Sequence, residues 1–106
     1  MSAIGLRGHL PRTERFTAAT APASADAARV HISNLQPTSH LQIRNEEASG
    51  GNTIKVYWTE IDFTADANFF TIAGASEFEG PAEVKEFWVR SVGGAAAMTA
   101  IFYLRR

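Results

Sequence analysis

The side chains that most often do chemistry are few in this sequence of 106 residues. The three histidines are His9, His31 and His40. His31 and His40 fall on the polar faces of two neighbouring predicted strands and would supply half of a metal site, but no third ligand lies at a matching spacing. The sequence has no cysteine, which excludes disulfides, thiolate ligands and a cysteine nucleophile. We therefore predict no metal and no cofactor.

Acidic residues are more numerous, and they cluster in predicted loops. Such oxygen ligands suit calcium, but none of the clusters has the spacing of an EF-hand loop. An acid and base pair for glycoside cleavage needs a cleft, for which so short a chain has little material. The sequence contains no Gly-x-Ser-x-Gly elbow and no phosphate-binding glycine motif, so we predict that the chain is not an enzyme. The clusters are Glu46-Glu47, then Glu60, Asp62 and Asp66, then Glu77, Glu79 and Glu83.

Charge is distributed unevenly, although the net charge is only −1. Residues 45–87 carry nine acidic side chains against two lysines, while both ends of the chain are basic. This asymmetry suits copies that pack head to tail or a chain that docks on a charged surface; solvated loops are the alternative. The acidic balance argues against nucleic acid as a partner, and no apolar run is long enough to span a membrane. The N-terminus lacks the apolar region of a signal peptide, so we expect a soluble, unexported chain.

Alternation of apolar and polar residues, the pattern of half-buried strands, starts at residue 29. It predicts strands at residues 29–34, 40–45, 53–59 and 68–72, with a short edge piece at residues 61–63. Residues 84–104 read as a hairpin of two strands around Gly93-Gly94, and Ser49-Gly50-Gly51-Asn52 predicts a second hairpin. Without a convincing helix, these elements predict an all-β, single-domain antiparallel β-sandwich or jelly roll over residues 28–106.

The first 27 residues differ in composition, being rich in small residues and interrupted by Pro11 and Pro22. We interpret residues 1–27 as an extended N-terminal arm held by a neighbouring subunit; one short strand at residues 14–20 stays open as an alternative. The arm carries three arginines that would bind an acidic partner. They are Arg7, Arg12 and Arg15.

Aromatic side chains are predicted on faces that should meet water. We predict that Phe87, Val89 and Phe102 face the core, so that Trp88 and Arg90 point outward, as do Tyr57 and Tyr103 on their strands. Trp, Tyr and Arg are enriched at interface hot spots. The alternative is that both faces of these strands are buried. With the arm, the predicted partner-binding residues are Arg7, Arg12, Arg15, Tyr57, Trp88, Arg90 and Tyr103.

One succession of segments resembles a known class of proteins. It consists of Ile43-Arg44-Asn45-Glu46, Ser49-Gly50-Gly51-Asn52-Thr53-Ile54-Lys55-Val56-Tyr57-Trp58, Phe70-Thr71-Ile72, Phe87-Trp88-Val89-Arg90-Ser91 and Gly93-Gly94. Over about residues 28–104 the chain resembles the small β-sandwich structural proteins of tailed bacteriophages, notably capsid decoration (cement) proteins and related head or tail accessory proteins.

The resemblance implies a noncatalytic virion protein, assembled in the host cytoplasm, that forms symmetric oligomers. A trimer is favoured, and the partners would be other copies and the major capsid protein or another virion protein. The rival expectation is a carbohydrate-binding or receptor-binding module. In that case exposed Trp88, Tyr57 and Tyr103 would stack on sugar rings.

Overall fold

The computed structural model describes residues 10–32, 38–81 and 83–104. Strands occupy most of these ranges, as the two-residue alternation predicts, and two short helices lie between them. The elements are β1 (Leu10–Ala18), α1 (Ala25–Ala28), β2 (Arg29–His31), β3 (Thr38–Asn45), β4 (Thr53–Tyr57), α2 (Glu60–Ala65), β5 (Phe70–Ile72), β6 (Glu77–Pro81), β7 (Glu86–Val92) and β8 (Ala96–Leu104).

The strands form two antiparallel sheets of four. Sheet A has the order β1-β8-β3-β6, and sheet B has the order β2-β7-β4-β5. The pairs β1·β8, β2·β7, β3·β6 and β4·β5 are nested, as if one long hairpin had been rolled up. Eight strands paired in this way are the topology of a jelly roll. The predicted all-β antiparallel sandwich is therefore confirmed.

Both predicted hairpins are wrong, because the strands of each lie in different sheets. β7 belongs to sheet B and β8 to sheet A, and Gly93, with φ of 96°, begins the three-residue crossing between them. β3 and β4 are likewise in different sheets. Three extended residues reach roughly 10 Å, which equals the spacing between packed sheets, so the same glycine-rich segment can close a hairpin or cross a sandwich.

The core fills the space between the inner faces of the two sheets. Phe87 of sheet B meets Phe102 of sheet A with ring centroids 6.0 Å apart, and both side chains are fully buried. The predicted core role of Phe87, Val89 and Phe102 is confirmed by this packing. Other members of the core come from both sheets: Leu41, Ile43, Ile54, Val56, Met98 and Leu104.

Part of the predicted N-terminal arm belongs to the sandwich. All nine residues of β1 pair with β8 of the same chain, from Leu10 opposite Leu104 to Ala18 opposite Ala96. The predicted boundary at residue 27 is thus not an edge of the fold. The short strand left open at residues 14–20 overlaps β1. The segment was assigned to an arm because its inward face, which includes Arg12 and Glu14, lacks the apolar residues typical of a half-buried strand. Residues 1–9, with Arg7, lie outside the described residues.

Gly74 supports a prediction about the crossings between sheets. It is buried, and a Cβ at this position would lie 2.1 Å from the carbonyl oxygen of Ala48, in the turn between β3 and β4. We expect Gly74→Ala to lower the free energy of unfolding by about 3 kcal/mol, because the turn must move to admit the methyl group. Chemical denaturation measures this change.

Gly80→Ala is the matched control. The nearest heavy atom to its added Cβ, on the Phe78 ring, is 3.7 Å away, an ordinary contact. We expect this variant to stay within about 0.5 kcal/mol of the original chain. Equal stabilities for the two variants would contradict the close approach of Gly74 to the turn.

Candidate partner-binding surfaces

The aromatic residues predicted to face outward from sheet B do lie together on its outer face. Tyr57 of β4 is the register partner of Trp88 of β7. Both are nevertheless buried, with 0% and 6% of their surface exposed. These two residues therefore cannot contact a partner in this structure. The prediction that they are exposed contact residues is wrong.

Two short helices of the same chain cover this face. Phe63 of α2 packs on Tyr57 edge to face, with ring centroids 5.4 Å apart, and Ala28 of α1 joins the same buried cluster. The segment Ile61–Phe63, predicted as an edge strand, is part of α2 instead. The signal for this helix was present: the Thr59 hydroxyl accepts a hydrogen bond of 3.1 Å from the Asp62 amide, which is the N-cap contact of a Thr-x-x-acid pattern.

A polar cluster fixes the end of α2 to sheet B. The Tyr57 hydroxyl donates a short hydrogen bond to the Asp66 carboxylate, and the Lys55 ammonium lies 3.3 Å from the same carboxylate. Burial, followed by this hydrogen bond, raises the pKa of Tyr57 from 10.0 to about 12. The hydrogen bonds from Tyr57 and Lys55 hold the pKa of Asp66 below its usual range. The cluster thus favours a neutral Tyr57 and an ionised Asp66.

Arg90, also predicted to meet a partner, binds α2 as well. Its Nη2 donates to the carbonyl oxygen of Phe63 at 3.2 Å, and its guanidinium lies 4.5 Å from the centre of the Phe63 ring. A cation over an aromatic face is attracted by the partial negative charge on that face of the neutral ring. The structure therefore gives Arg90 an internal contact at the end of a helix.

Tyr103 lies on the outer face of sheet A but is only 5% exposed. The ring of His40 on the adjacent strand packs against it edge to face, with centroids 5.6 Å apart. His31 lies on β2 in the other sheet, so the predicted pairing of His31 with His40 on adjacent strands is wrong. Within residues 10–32, 38–81 and 83–104, no three His, Cys, Asp or Glu side chains are placed to hold a metal ion.

The arginines of β1 are the predicted contacts that remain accessible. Arg12 and Arg15 are both exposed, and β1 is an edge strand of sheet A. A groove separates β1 from β2, the edge strand of sheet B. Its lining combines basic and apolar side chains: Arg12, Arg15, Phe16, Arg29, Val30, His31 and Ile32, with Glu14 as the acidic member.

The opposite edge of sheet A is acidic. β6 pairs only with β3 in the described sheet, and its Glu77 and Glu79 are exposed on the outer face. Glu77 accepts hydrogen bonds from Gln42 at 3.0 Å and Arg44 at 3.1 Å, while Glu79 lies 3.3 Å from the His40 ring nitrogen. These contacts hold both carboxylates along the β6 edge. Glu77 and Glu79 were predicted to lie in an acidic loop, and the structure places them on a strand instead.

Comparison with known proteins identifies no family. No family model and no curated protein matches the chain. Among solved structures, a Neisseria meningitidis protein is similar with a TM-score of 0.47 and 12% identity over 92% of this chain and 76% of that one. A protein of Bacillus endospore appendages, described as disulfide-linked pili, has a TM-score of 0.48 and 15% identity over 92% and 88%. Neither helix of the described residues is long and apolar enough to cross a membrane.

The buried position of Tyr57 predicts how stability depends on pH. Folding raises the pKa of Tyr57 from 10.0 to about 12. The neutral phenol therefore contributes fully to the free energy of unfolding below pH 10, and this contribution is lost as the pH rises towards 12. We expect Tyr57→Phe to be about 1 kcal/mol less stable at pH 7, having lost a hydrogen bond. The original chain should then lose stability faster than the variant above pH 10. Urea denaturation at a series of pH values measures both.

Phe70→Leu is the control, since it removes packing without removing a titrating group. We expect it to lower stability while keeping the steep loss above pH 10. If Tyr57→Phe loses stability above pH 10 as steeply as the original chain, ionisation of the Tyr57 phenol does not cause that loss.

Proposed function

We propose that this chain is a noncatalytic virion structural protein, most specifically a capsid decoration (cement) protein. It associates with copies of itself and binds the major capsid protein or another virion protein. One observation carries the proposal: Arg12 and Arg15 are exposed on a nine-residue strand that lies at the edge of the described sheet A. The proposed localisation is the virion, after assembly in the host cytoplasm.

An edge strand suits this role because its outer backbone groups can pair with another chain. An extended segment of a partner adds to such an edge through main-chain hydrogen bonds, and the neighbouring side chains select which segment binds. Two arginines here select an acidic segment and disfavour a basic one. Charged residues on an edge also limit indiscriminate pairing, which a long unprotected strand would invite.

Repetition makes a modest contact sufficient for decoration. A shell presents the same binding surface many times, and oligomers of the decoration protein bind several of these surfaces at once. Linked binding events strengthen overall attachment by factors of about 100 to 10,000 without any new type of contact. The edge of β1 therefore need not bind tightly as a single site.

The carbohydrate-binding alternative loses its main support. Sugar stacking was expected at Tyr57, Trp88 and Tyr103, but these rings are 0%, 6% and 5% exposed. A sugar could reach the first two only after α2 had left sheet B, which would break the Tyr57–Asp66 hydrogen bond. Arg12, Arg15, Glu77 and Glu79 at the two edges of sheet A are exposed instead, and their charges favour a protein partner.

Location in the particle is the direct test. An antibody raised against the purified protein should detect it in the particle fraction of a density gradient prepared from virus-producing cells of the source organism. It should also bind intact particles, since a decoration protein lies on the outside. Detection only among unassembled soluble proteins would overturn the proposal.

Charge removal at the β1 edge gives the mutational prediction. The double variant Arg12→Gln and Arg15→Gln is added to particles made without this protein, and bound protein is measured by co-sedimentation. We expect at least about tenfold weaker binding, equivalent to about 1.4 kcal/mol, because both cations of the proposed contact are lost. Deletion of residues 1–27 is a poorer test, since it would also remove β1 from sheet A.

The control carries the same change in net charge at a different place. Thr64→Glu with Thr71→Glu adds two negative charges at exposed positions of α2 and β5. We expect this variant to bind particles as the original chain does. Equal binding by the arginine variant and the original chain would exclude the β1 edge as the attachment surface.

A further inference from the structure

The two edges of sheet A carry opposite charge, and this suggests how copies of the chain meet. We propose that copies associate head to tail, with the β1 edge of one copy pairing with the β6 edge of the next to extend sheet A across the contact. The inference rests on the self-association included in the proposed function and specifies its geometry. The partner is a second copy of this chain.

Charge complementarity is the first support. Arg15 lies on the outer face of sheet A at one edge, because its register partner Thr99 is also the partner of Arg44 on that face. Glu77 and Glu79 lie on the same face at the other edge. When the two edges meet, the guanidinium and the carboxylates therefore lie on the same side of the extended sheet. A carboxylate accepts several hydrogen bonds, so Glu79 can keep its contact with His40 and bind an arginine.

Strand direction is the second support. Neighbouring strands in sheet A are antiparallel throughout, so β6 runs opposite to β1. A second copy in the same orientation therefore brings its β1 antiparallel to β6 of the first. The extended sheet keeps its alternating direction, and every copy uses both edges. Contacts of this kind close into a ring when the rotation between copies divides a full turn, and a trimer is one such ring.

The half-buried aromatic residues of the two strands suggest the register. Phe16 on β1 and Phe78 on β6 both point to the core side of sheet A and pack at the margin of the core. Placing Phe16 opposite Phe78 in an antiparallel pair sets Arg15 opposite Glu79, and Thr17 opposite Glu77. The five residues of β6 then pair with residues 13–17 of the nine-residue β1, which leaves the N-terminal end of β1, with Arg12, for the contact with the capsid protein. An aromatic pair on one face and an ion pair on the other are both stabilising cross-strand combinations.

Symmetric alternatives bring like charges together. Two β1 edges paired about a two-fold axis place the exposed arginines of one copy near those of the other. Two β6 edges do the same with Glu77 and Glu79. Like charges directly opposite each other destabilise a strand pair. The distribution of charge therefore favours the head-to-tail contact over either two-fold contact.

Single cysteines can test the contact cleanly, because the chain has none of its own. Thr17→Cys and Glu77→Cys are made as separate proteins, one of them carrying a mass tag. Under mild oxidation we expect the mixture to form a disulfide-linked heterodimer at least about ten times faster than a mixture of either with Thr64→Cys on α2. The double variant Thr17→Cys/Glu77→Cys should give covalent oligomers, and the largest abundant species reports the size of a closed ring.

Two results would overturn the inference. Linkage of Thr17→Cys to itself as fast as in the mixture would show a two-fold β1 contact. A mixture no faster than the Thr64→Cys control would show that the edges do not meet. If particle binding persists in that second case, the decoration proposal stands and only the head-to-tail geometry fails. If cross-linking succeeds but the protein is absent from particles, the head-to-tail geometry stands and the decoration proposal fails.

Charge exchange provides an independent measurement. We expect Arg15→Glu and Glu79→Arg to weaken self-association by at least about tenfold each, as measured by sedimentation velocity. A mixture of the two should regain association, because both kinds of contact between unlike variants then join opposite charges, one with the exchanged pair and one with the original pair. Glu60→Arg, on exposed α2, is the control for Glu79→Arg and should leave association unchanged. Weakening by this control to the same extent would also count against the edge contact.

Discussion

Asn45 joins the two sheets at a point where the chain crosses between them twice. Its side-chain amide donates to the carbonyl oxygens of Asn52 at 2.8 Å and Ile72 at 3.0 Å, and its oxygen accepts from the Glu47 amide at 3.0 Å. The residue is 1% exposed, so water cannot replace these partners. A jelly roll depends on such crossings, because consecutive strands usually belong to different sheets. One satisfied buried amide therefore fixes the end of β3 relative to the start of β4 and the end of β5.

With the inner faces packed, the outer faces determine what can bind. On sheet B, the hydrogen bonds of Tyr57 and Arg90 with the α2 region keep the helix over the aromatic residues. On the outer face of sheet A, exposed charges lie at both edges, with Arg15 on β1 and Glu77 and Glu79 on β6. The side chains best suited by type to bind a partner are thus used to bind a helix. The proposed contacts with other chains use positions with less distinctive sequence signals, on β1 and β6.

Sequence alternation predicted β2 to β5, β7, β8 and much of the core, but it did not predict β6 or which strands pair. Phe87 and Phe102 were assigned to the core correctly because alternation fixes the face of a strand. The pairing of β7 with β8 was wrong because Gly93-Gly94 permits a turn or a crossing equally well. Trp88 was predicted exposed because alternation separates two faces without saying what covers each one. The four-residue α1 is too short to show a helical period, so its contribution to the cover could not be foreseen.

The strand order places basic and acidic parts of the sequence at opposite edges of sheet A. In sheet A the first strand lies at one edge and the sixth at the other. The basic N-terminal part of the chain supplies β1, and the acidic middle supplies β6. Topology thus converts a difference along the chain into a difference across three inter-strand spacings, roughly 14 Å, which exceeds the screening length of about 8 Å at physiological salt. Within one copy the two edges are therefore largely screened from each other, and in the proposed head-to-tail contact their attraction acts between copies instead.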